Sequence, residues 1–306
     1  MKINKKPIAL SHIVNSECNL RCGFCKNWKE NKEVLSKEEV FDLIDEAKDF
    51  GILLYNIWGT EPLLREDLGE IIDYASEVDL LISMVTNGVL LEDKLCELRN
   101  LDYLTVSLDG FDSHEEIRNT EVEKIIDAIE LADKEDMYVG INTVINKKNL
   151  EEIPKLIDFC TQKEIPISFE PIYEYEDINN SEYTLEDDEE YRKTIDIIKK
   201  KKKKNSPIIN SLTYLEQIKD INNLVNCKNK ISIMHIDSEG QLKVCRAKNQ
   251  QLGSYKQSLS ELWNKTKQDR EKITRNCNGC QFFGYLESRY INQLKLEPIK
   301  NVIGFI

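Results

Sequence analysis

The most informative stretch of the sequence is Cys18-Asn19-Leu20-Arg21-Cys22-Gly23-Phe24-Cys25. It places three thiols within eight residues, in the spacing C-x3-C-x2-C. Thiolate sulfur is the usual ligand of iron–sulfur clusters and of soft metals. A [4Fe–4S] cluster normally takes four cysteine ligands, so this stretch alone leaves the set one short. Either a distant residue supplies the fourth ligand, or one iron is open to a molecule that is not a cysteine.

The spacing, with the aromatic residue Phe24 directly before the last cysteine, resembles the signature of the radical S-adenosylmethionine (radical SAM) superfamily. The resemblance implies that Cys18, Cys22 and Cys25 bind a [4Fe–4S] cluster. It also implies that S-adenosylmethionine chelates the open iron through its amino and carboxylate groups. The alternative is a zinc knuckle or a set of scattered buried thiols, although a zinc site usually has C-x2-C pairs and four ligands.

The composition limits the classes of protein to which the chain can belong. Its 306 residues are enough for one large α/β domain and a smaller one. We find neither a membrane-spanning apolar stretch nor a signal peptide, so we expect a cytoplasmic protein with no membrane partner. In a reducing compartment, nine cysteines indicate metal or redox chemistry rather than disulfides. The net charge of −13 argues against nucleic-acid binding, which usually needs a basic surface.

Helix and strand patterns alternate strictly from residue 8 to residue 170. The capping box Ser36-Lys37-Glu38-Glu39 begins a helix that Gly51 is placed to end. Such alternation implies parallel strands joined by right-handed crossovers. The resemblance implies a partial (β/α)6 TIM-like barrel in residues 1–205 and a small iron–sulfur domain with a β-hairpin in residues 206–306. The predicted strands are 8–14, 52–58, 80–85, 103–108, 137–145 and 165–170, and the later predicted helices are 67–77, 91–99, 121–134 and 149–163.

The loop after the second predicted strand, Gly59-Thr60-Glu61-Pro62, resembles the GGEP motif of the same superfamily. The resemblance implies that the backbone of this loop and the side chain of Glu61 contact the amino group of S-adenosylmethionine. Thr60 replaces the second glycine, and a β-branched residue resists positive φ. We therefore expect Thr60 to lie outside the left-handed region. A plain strand-to-helix turn is the alternative interpretation.

Polar residues follow the other predicted strands, and the chemistry of parallel barrels lies at the carboxyl ends of the strands. Arg118 resembles the family position that pairs with the cofactor carboxylate, and a surface salt bridge is the competing interpretation. The resemblance implies a cofactor-binding set of Phe24, Gly59, Thr60, Glu61, Asn87, Ser107, Asp109 and Arg118. Our candidates for catalytic residues in the cavity are Asn142, Glu170 and Tyr173.

A second group of thiols follows residue 206: Cys227, Cys245, Cys277 and Cys280. The sequence between the first two predicts a β-hairpin with an acidic glycine turn at 237–240. The spacing from Cys227 through Gly240 to Cys245, followed by a C-x2-C pair, resembles the Twitch form of the SPASM/Twitch subgroup. The resemblance implies one auxiliary [4Fe–4S] cluster on these four thiols, and therefore two clusters in the chain. A zinc ribbon with four cysteine ligands is the alternative.

Together the resemblances imply an oxidoreductase of the radical SAM type. One electron from the first cluster would cleave S-adenosylmethionine into methionine and a 5′-deoxyadenosyl radical, which takes a hydrogen atom from the substrate. An auxiliary cluster with only cysteine ligands could accept the electron of the substrate radical, so we expect a net oxidation. A redox-neutral epimerase and, from a different class, a non-enzymatic iron–sulfur or zinc protein are the alternatives.

The implied partners are an external electron donor of the flavodoxin or ferredoxin type and a substrate. SPASM/Twitch enzymes mostly modify ribosomally made peptides, so a maturase-like enzyme that modifies a peptide of this RiPP type is our first expectation. Because the first predicted strand begins near residue 8, we expect no N-terminal peptide-recognition domain. A dehydrogenase acting on a small molecule, such as an aminocyclitol or a sugar, is therefore the second expectation.

Overall fold

The computed structural model describes residues 6–29, 32–173, 181–226, 233–246 and 248–303. These residues form one sheet of nine strands in the order β6-β5-β4-β3-β2-β1-β7-β8-β9. The strands are β1 (Ala9–Ile13), β2 (Leu54–Trp58), β3 (Leu81–Thr86), β4 (Tyr103–Ser107), β5 (Val139–Ile145), β6 (Ile167–Pro171), β7 (Ile233–Ile236), β8 (Gln241–Cys245) and β9 (Lys248–Ser254).

Helices connect the first six strands and cover one face of the sheet. The first helix confirms its predicted ends: Ser36 and Glu39 form both bonds of the capping box, and Gly51 ends the helix at φ 88°. The α-helices are α1 (Lys37–Phe50), α2 (Leu68–Glu77), α3 (Leu91–Lys94), α4 (His114–Arg118), α5 (Val122–Lys134), α6 (Ile153–Lys163), α7 (Glu189–Lys202), α8 (Leu212–Ile218), α9 (Leu259–Lys265), α10 (Lys267–Arg275), α11 (Phe283–Asn292) and α12 (Leu296–Ile303).

Two predicted helices are shorter than expected. The helix predicted at 91–99 is α-helical only over α3 and continues as a 3-10 turn at Leu95–Leu98. The helix predicted at 149–163 begins at Ile153, and Pro154 lies in its first turn. Proline suits that position because its missing N–H has no partner inside a helix there.

Strands β1 to β6 pair in parallel, each with its neighbour in sequence. Alternate residues of β2 show the two faces of the sheet. Tyr55 and Ile57 are fully buried against the helices, whereas Asn56 and Trp58 point to the opposite face and are partly exposed. All six strands end at the same edge, which is where loop side chains meet in parallel α/β folds. The predicted α/β fold class is confirmed.

The C-terminal strands extend the barrel sheet. Strand β7 pairs in parallel with β1, and β8 then pairs antiparallel with β7 around Gly240, which has a φ of 75°. The predicted hairpin is confirmed for its described part, and its attachment to β1 adds to the prediction. The division at 205/206 stays a prediction. Among the described residues, every helix is too short or too polar to cross a membrane.

Candidate iron–sulfur and cofactor site

The cysteine loop leaves the carboxyl end of β1 and is fixed by bonds to α4. The Gly23 N–H donates to the carbonyl oxygen of Ile117 at 3.3 Å, and the Cys22 thiol lies 3.8 Å from the carbonyl oxygen of Arg118. All three thiols of the loop are partly buried. The three sulfurs that the sequence predicts as cluster ligands are therefore held on one loop at the edge where the parallel strands end.

Burial governs the protonation of these thiols. It raises the pKa of Cys22 to about 11, against the opposing charge of Arg118, and it also raises the pKa values of Cys18 and Cys25. Backbone N–H groups of Asn27 and Trp28 donate to the Cys25 sulfur and counter part of that rise. Because metal ligands are thiolates, binding of a cluster must release protons from this loop.

The donor set fits an iron–sulfur cluster. It consists of three soft sulfur ligands, and Cys18 also accepts from the Leu20 N–H at 3.5 Å and lies 3.9 Å from Asn87 Nδ2. In an iron–sulfur cluster each thiolate binds a separate iron, whereas the ligands of a zinc site all coordinate the same ion. Within the described ranges, no three His, Cys, Asp or Glu side chains converge as ligands of a single metal ion.

The structure corrects the expectation for Thr60. This residue lies in the left-handed region at φ 50°, directly after Gly59 at φ 85°. Its hydroxyl donates to the Asn15 carbonyl oxygen and lies 2.6 Å from the Gly59 carbonyl oxygen. A local side-chain bond to the backbone is what allows a non-glycine residue to occupy this region.

Glu61 is completely buried and braces two loops. Its carboxylate accepts from the Leu63 N–H at 3.1 Å, the Thr86 hydroxyl at 2.7 Å and the Asn87 N–H at 2.8 Å. Burial raises the pKa of Glu61, and these donors oppose the rise. The Glu61 N–H also donates to the Glu17 carbonyl oxygen at 2.9 Å, so the loop is tied to the residue before Cys18. Contact with S-adenosylmethionine stays a prediction for Gly59, Thr60 and Glu61.

Arg118 and Asp109 form a buried ion pair at the end of β4. Arg118 Nε donates to Asp109 Oδ2 at 2.7 Å, and Asp109 Oδ1 accepts from the Val144 N–H at 2.8 Å. The side chains are 9% and 0% exposed, so the competing interpretation of a surface salt bridge is wrong. The Arg118 guanidinium lies 5.4 Å from the centre of the Phe24 ring, and its terminal nitrogens have no hydrogen-bond partner among the described residues. The guanidinium of Arg118 can therefore bind a carboxylate through its terminal nitrogens.

Asn87 and Ser107 lie beside these groups. Asn87 Nδ2 donates to Asn19 Oδ1 at 2.7 Å, so this side chain spans from the end of β3 to the cysteine loop. Ser107 is buried at the end of β4, in register with Asn142 on β5. Their predicted roles in cofactor binding remain predictions, but the fold does bring the predicted residues to one edge.

The three catalytic candidates lie further along the sheet. Asn142 Oδ1 accepts from the Ser168 hydroxyl at 2.9 Å. Both carboxylate oxygens of Glu170 bind one terminal nitrogen of Arg246, at 2.9 and 2.8 Å. Tyr173 packs against Phe282 with the two rings tilted and their centres 4.7 Å apart. Glu170 and Tyr173 thus meet the C-terminal part of the chain.

Two described cysteines of the second group, Cys245 and Cys280, lie close together, and the predicted role of the group as cluster ligands stays a prediction. Cys245 and Cys280 pack in one cluster with Phe282 and Tyr285. Val225 and Cys280 exchange backbone hydrogen bonds at 3.4 and 3.1 Å, and Asn226 Nδ2 donates to the Cys277 carbonyl oxygen at 3.0 Å. Residues 225 and 226 therefore reach this group. Cys227 lies outside the described residues.

Comparison with known proteins agrees with this geometry. Residues 13–160 match the family model of the radical SAM superfamily, and residues 167–303 match a domain of unknown function, DUF3463. A probable GTP 3′,8-cyclase from Saccharolobus islandicus (strain M.14.25 / Kamchatka #1) is 30% identical over 254 residues, which cover 78% of this chain and 81% of that protein. The chain belongs to the radical SAM superfamily. Membership implies a [4Fe–4S] cluster and S-adenosylmethionine as cofactors.

Other radical SAM proteins match less of the chain or only its fold. GTP 3′,8-cyclase from Campylobacter jejuni (strain RM1221) is 36% identical over 172 residues, covering 51% of this chain and 53% of that protein. The chain thus spans about half the length of this curated relative. SuiB of Streptococcus suis, solved with its precursor peptide SuiA, has a TM-score of 0.71 at 20% identity, covering 85% of this chain and 65% of SuiB. This SPASM/Twitch neighbour shows that the predicted barrel and C-terminal domain share its fold.

Sequence reasoning missed two side chains that shape this radical SAM site. Tyr183 packs on the cysteine loop, where a Cβ added to Gly23 would lie 2.2 Å from the Tyr183 hydroxyl. Arg246 pairs with Glu170 and lies over Phe282, 3.5 Å from its ring centre. The position of Arg246 directly after Cys245 is a signal that could have identified it. The segment around Tyr183 carries no comparable signal.

Proposed function

We propose that this radical SAM enzyme generates a 5′-deoxyadenosyl radical and uses it to oxidise a peptide. The observation that best supports the radical chemistry is the set of hydrogen bonds between the Gly59–Pro62 loop and the residues directly before the cysteine loop. Asn15 Nδ2 donates to the Glu61 carbonyl oxygen at 3.0 Å, in addition to the Glu61–Glu17 backbone bond. These bonds set the loop predicted to bind the cofactor against the loop that carries the thiols.

The residues of the chain bind, orient and shield the reacting groups. When bound, the cluster and S-adenosylmethionine supply an adenosyl radical that abstracts a hydrogen atom from the substrate. Cys18, Cys22 and Cys25 would hold the cluster, and the terminal nitrogens of Arg118 would bind the cofactor carboxylate. The Asp109 carboxylate keeps that guanidinium fixed, because a buried ion pair has few alternative arrangements. Holding reactants in place and excluding water are the main contributions a protein makes to such chemistry.

The second group of thiols completes the proposal. We assign an auxiliary [4Fe–4S] cluster to Cys227, Cys245, Cys277 and Cys280, with the role of accepting the electron left on the substrate. Its support is the contact of Cys245 with the group around Cys280, together with the bonds by which residues 225 and 226 reach the backbone of Cys277 and Cys280. The thiol-rich composition favours a reducing compartment such as the cytoplasm. An external flavodoxin- or ferredoxin-like protein supplies the first electron.

A peptide is the first candidate substrate because SuiB, solved with a precursor peptide, has a fold that matches 85% of this chain. A small molecule is the second candidate, because the sequence relatives with 30% and 36% identity are named GTP 3′,8-cyclases. An anaerobic assay with GTP decides for the second candidate if it yields a cyclised nucleotide together with 5′-deoxyadenosine.

Anaerobic reconstitution tests the radical chemistry. We expect about eight irons per chain, since each of two clusters holds four, and release of 5′-deoxyadenosine that depends on a reductant. Cys18→Ala, Cys22→Ala and Cys25→Ala should each abolish that release, whereas Cys96→Ala, which removes an exposed thiol outside the site, should not. Cleavage that survives in the first three variants would refute the assignment.

The auxiliary cluster has its own test. Cys277→Ala and Cys280→Ala should lower the iron content to about four per chain and spare cleavage of S-adenosylmethionine without substrate. They should abolish product formation once the substrate is in hand. If these variants kept the full iron content, this part of the proposal would be contradicted. It would also be contradicted if the wild-type protein bound zinc instead of iron at these cysteines.

A further inference from the structure

Glu152 directs a buried carboxylate at the loop that precedes α4. Its side chain accepts from three successive backbone N–H groups, those of Phe111, of Asp112 at 3.0 Å and of Ser113 at 2.9 Å. Glu152 is only 8% exposed. A carboxylate is a stronger acceptor than a neutral oxygen, and burial strengthens such bonds further. Three of them on consecutive residues therefore fix the conformation of the loop from which α4 begins.

The carboxylate comes this close because residue 110 has no side chain. A Cβ added to Gly110 would lie 2.7 Å from Glu152 Oε2 and 2.2 Å from the Ser113 hydroxyl. Either side-chain group would have to move away from a methyl group at that place. One residue earlier, the Asp109 carbonyl oxygen accepts from Asn149 Nδ2 at 2.8 Å. The whole loop between β4 and α4 is thus held by the segment that follows β5.

The helix that begins at this loop carries Arg118 as its last residue. It is five residues long, so a displacement of its first turn also displaces Arg118. The Asp109 N–H donates to Nδ1 of His114, the first residue of the helix, at 3.2 Å. The conformation of the loop therefore decides where the Arg118 guanidinium lies.

We propose that Glu152 is a positioning residue for the cofactor. By holding the N–H groups of residues 111–113, its carboxylate keeps α4 where Arg118 reaches the carboxylate of S-adenosylmethionine. The inference rests on the proposed function, because it acts through the predicted role of Arg118. Asp109 fixes the guanidinium from one side, and Glu152 fixes the helix that bears it. Such support matters because small displacements of a binding group are costly.

The test is a double-mutant cycle between Glu152 and Arg118 on the anaerobically reconstituted protein, read as the dissociation constant of S-adenosylmethionine. Arg118→Met should raise this constant by about tenfold or more, because a charged partner of the cofactor carboxylate is lost. Glu152→Gln keeps the size of the side chain but has one acceptor oxygen, so it should raise the constant by about fivefold. In the Arg118→Met background, Glu152→Gln should change it little, because the residue through which it acts is gone.

A second ligand and two further variants sharpen the test. Decarboxylated S-adenosylmethionine lacks the group that Arg118 binds, so Glu152→Gln should leave its dissociation constant as in wild type. Gly110→Ala displaces the same carboxylate and should weaken binding of S-adenosylmethionine as Glu152→Gln does. Glu287→Gln is the matched control, because the Glu287 carboxylate accepts from the Ser211 N–H at 2.8 Å before α8. It should leave both dissociation constants unchanged.

Several outcomes would overturn the inference. An equal effect of Glu152→Gln with and without Arg118 would show that the two residues do not act together. Equal weakening for both ligands would have the same meaning. Loss of iron from Glu152→Gln would show that this carboxylate supports the cysteine loop instead. If Arg118→Met bound S-adenosylmethionine as tightly as wild type, the predicted role of Arg118 in the proposed function would fail, and this inference with it.

Discussion

Thr60 shows how a single residue can hold an unfavourable backbone conformation in the loop Gly59–Pro62. A β-branched residue at φ 50° is strained, and such strain persists only where surrounding bonds fix the conformation. Here the Thr60 hydroxyl meets the carbonyl oxygens of Asn15 and Gly59. The loop thus replaces the conformational freedom of the family's second glycine with a side-chain bond.

Two substitutions at Thr60 separate the effect of its hydroxyl on stability from the effect of its β-branch. Thr60→Val keeps the branch and loses the hydrogen bonds, so it should lower the free energy of unfolding by about 1–2 kcal/mol. Thr60→Ser keeps the hydroxyl and relieves the branch, so it should be at least as stable as wild type. Urea denaturation under anaerobic conditions measures both. A valine variant as stable as wild type would show that the hydroxyl does not hold the loop.

At the scale of elements, the side chain of Tyr183 covers part of the cysteine loop. The Lys147 N–H donates to the Tyr183 carbonyl oxygen at 3.1 Å, and Lys148 Nζ lies 4.7 Å from the centre of the Tyr183 ring. The ring itself packs edge-on against Phe24 at 6.1 Å. Absence of a side chain at Gly23 is what lets the Tyr183 hydroxyl approach the loop.

A methyl group at Gly23 should therefore disturb this cover. Gly23→Ala forces Tyr183 to move, and overpacking of this kind costs about 1–3 kcal/mol of unfolding free energy. Tyr183→Ala in the same chain should remove most of that penalty, which a double-mutant cycle measures. Gly284→Ala is the control: an added Cβ there meets nothing within 4 Å, and alanine in a helix should stabilise the protein. Additive effects of Gly23→Ala and Tyr183→Ala would argue against the contact.

Elements with local signals were predictable, and those that depend on distant partners were not. A few adjacent residues determine the capping box at Ser36, the end of α1 at Gly51 and the hairpin turn at Gly240. The structure contains all three features. The parallel pairing of β7 with β1 joins residues more than 200 positions apart, for which periodicity carries no information. The cysteine spacings predicted two candidate sites, but no local pattern showed that Glu170 would bind Arg246.

For the whole molecule, the pair of Glu170 and Arg246 links the two halves that the cysteine groups define. Glu170 lies near the end of β6, and Arg246 directly follows Cys245 at the end of β8. Their side chains are only 14% and 26% exposed. The Phe283 N–H also donates to Glu170 at 3.3 Å, and the Arg246 N–H donates to the Tyr285 hydroxyl at 2.9 Å. One carboxylate thus contacts both the hairpin and the segment after Cys280.

Removal of one partner should loosen this link more than removal of both. Glu170→Gln leaves a partly buried guanidinium without its counter-charge and should cost about 2 kcal/mol of unfolding free energy, below the range for fully buried pairs because these side chains remain partly exposed. Arg246→Met together with Glu170→Gln should recover part of that loss, since neither charge is then left unpaired. Urea denaturation of the wild type, Glu170→Gln, Arg246→Met and the double variant gives the coupling energy between the two side chains.

The exposed pair of Arg192 and Asp187 is the matched control, because it has the same guanidinium–carboxylate chemistry on the surface, with Arg192 49% exposed. Its coupling should be much smaller, as for other solvent-exposed pairs. Hydrogen exchange then locates the effect: Glu170→Gln should speed exchange in residues 233–246 and leave α1 to α3 unchanged. Equal coupling in the two pairs, or exchange that rises evenly over the whole chain, would mean that Glu170 and Arg246 do not fix the hairpin on the barrel.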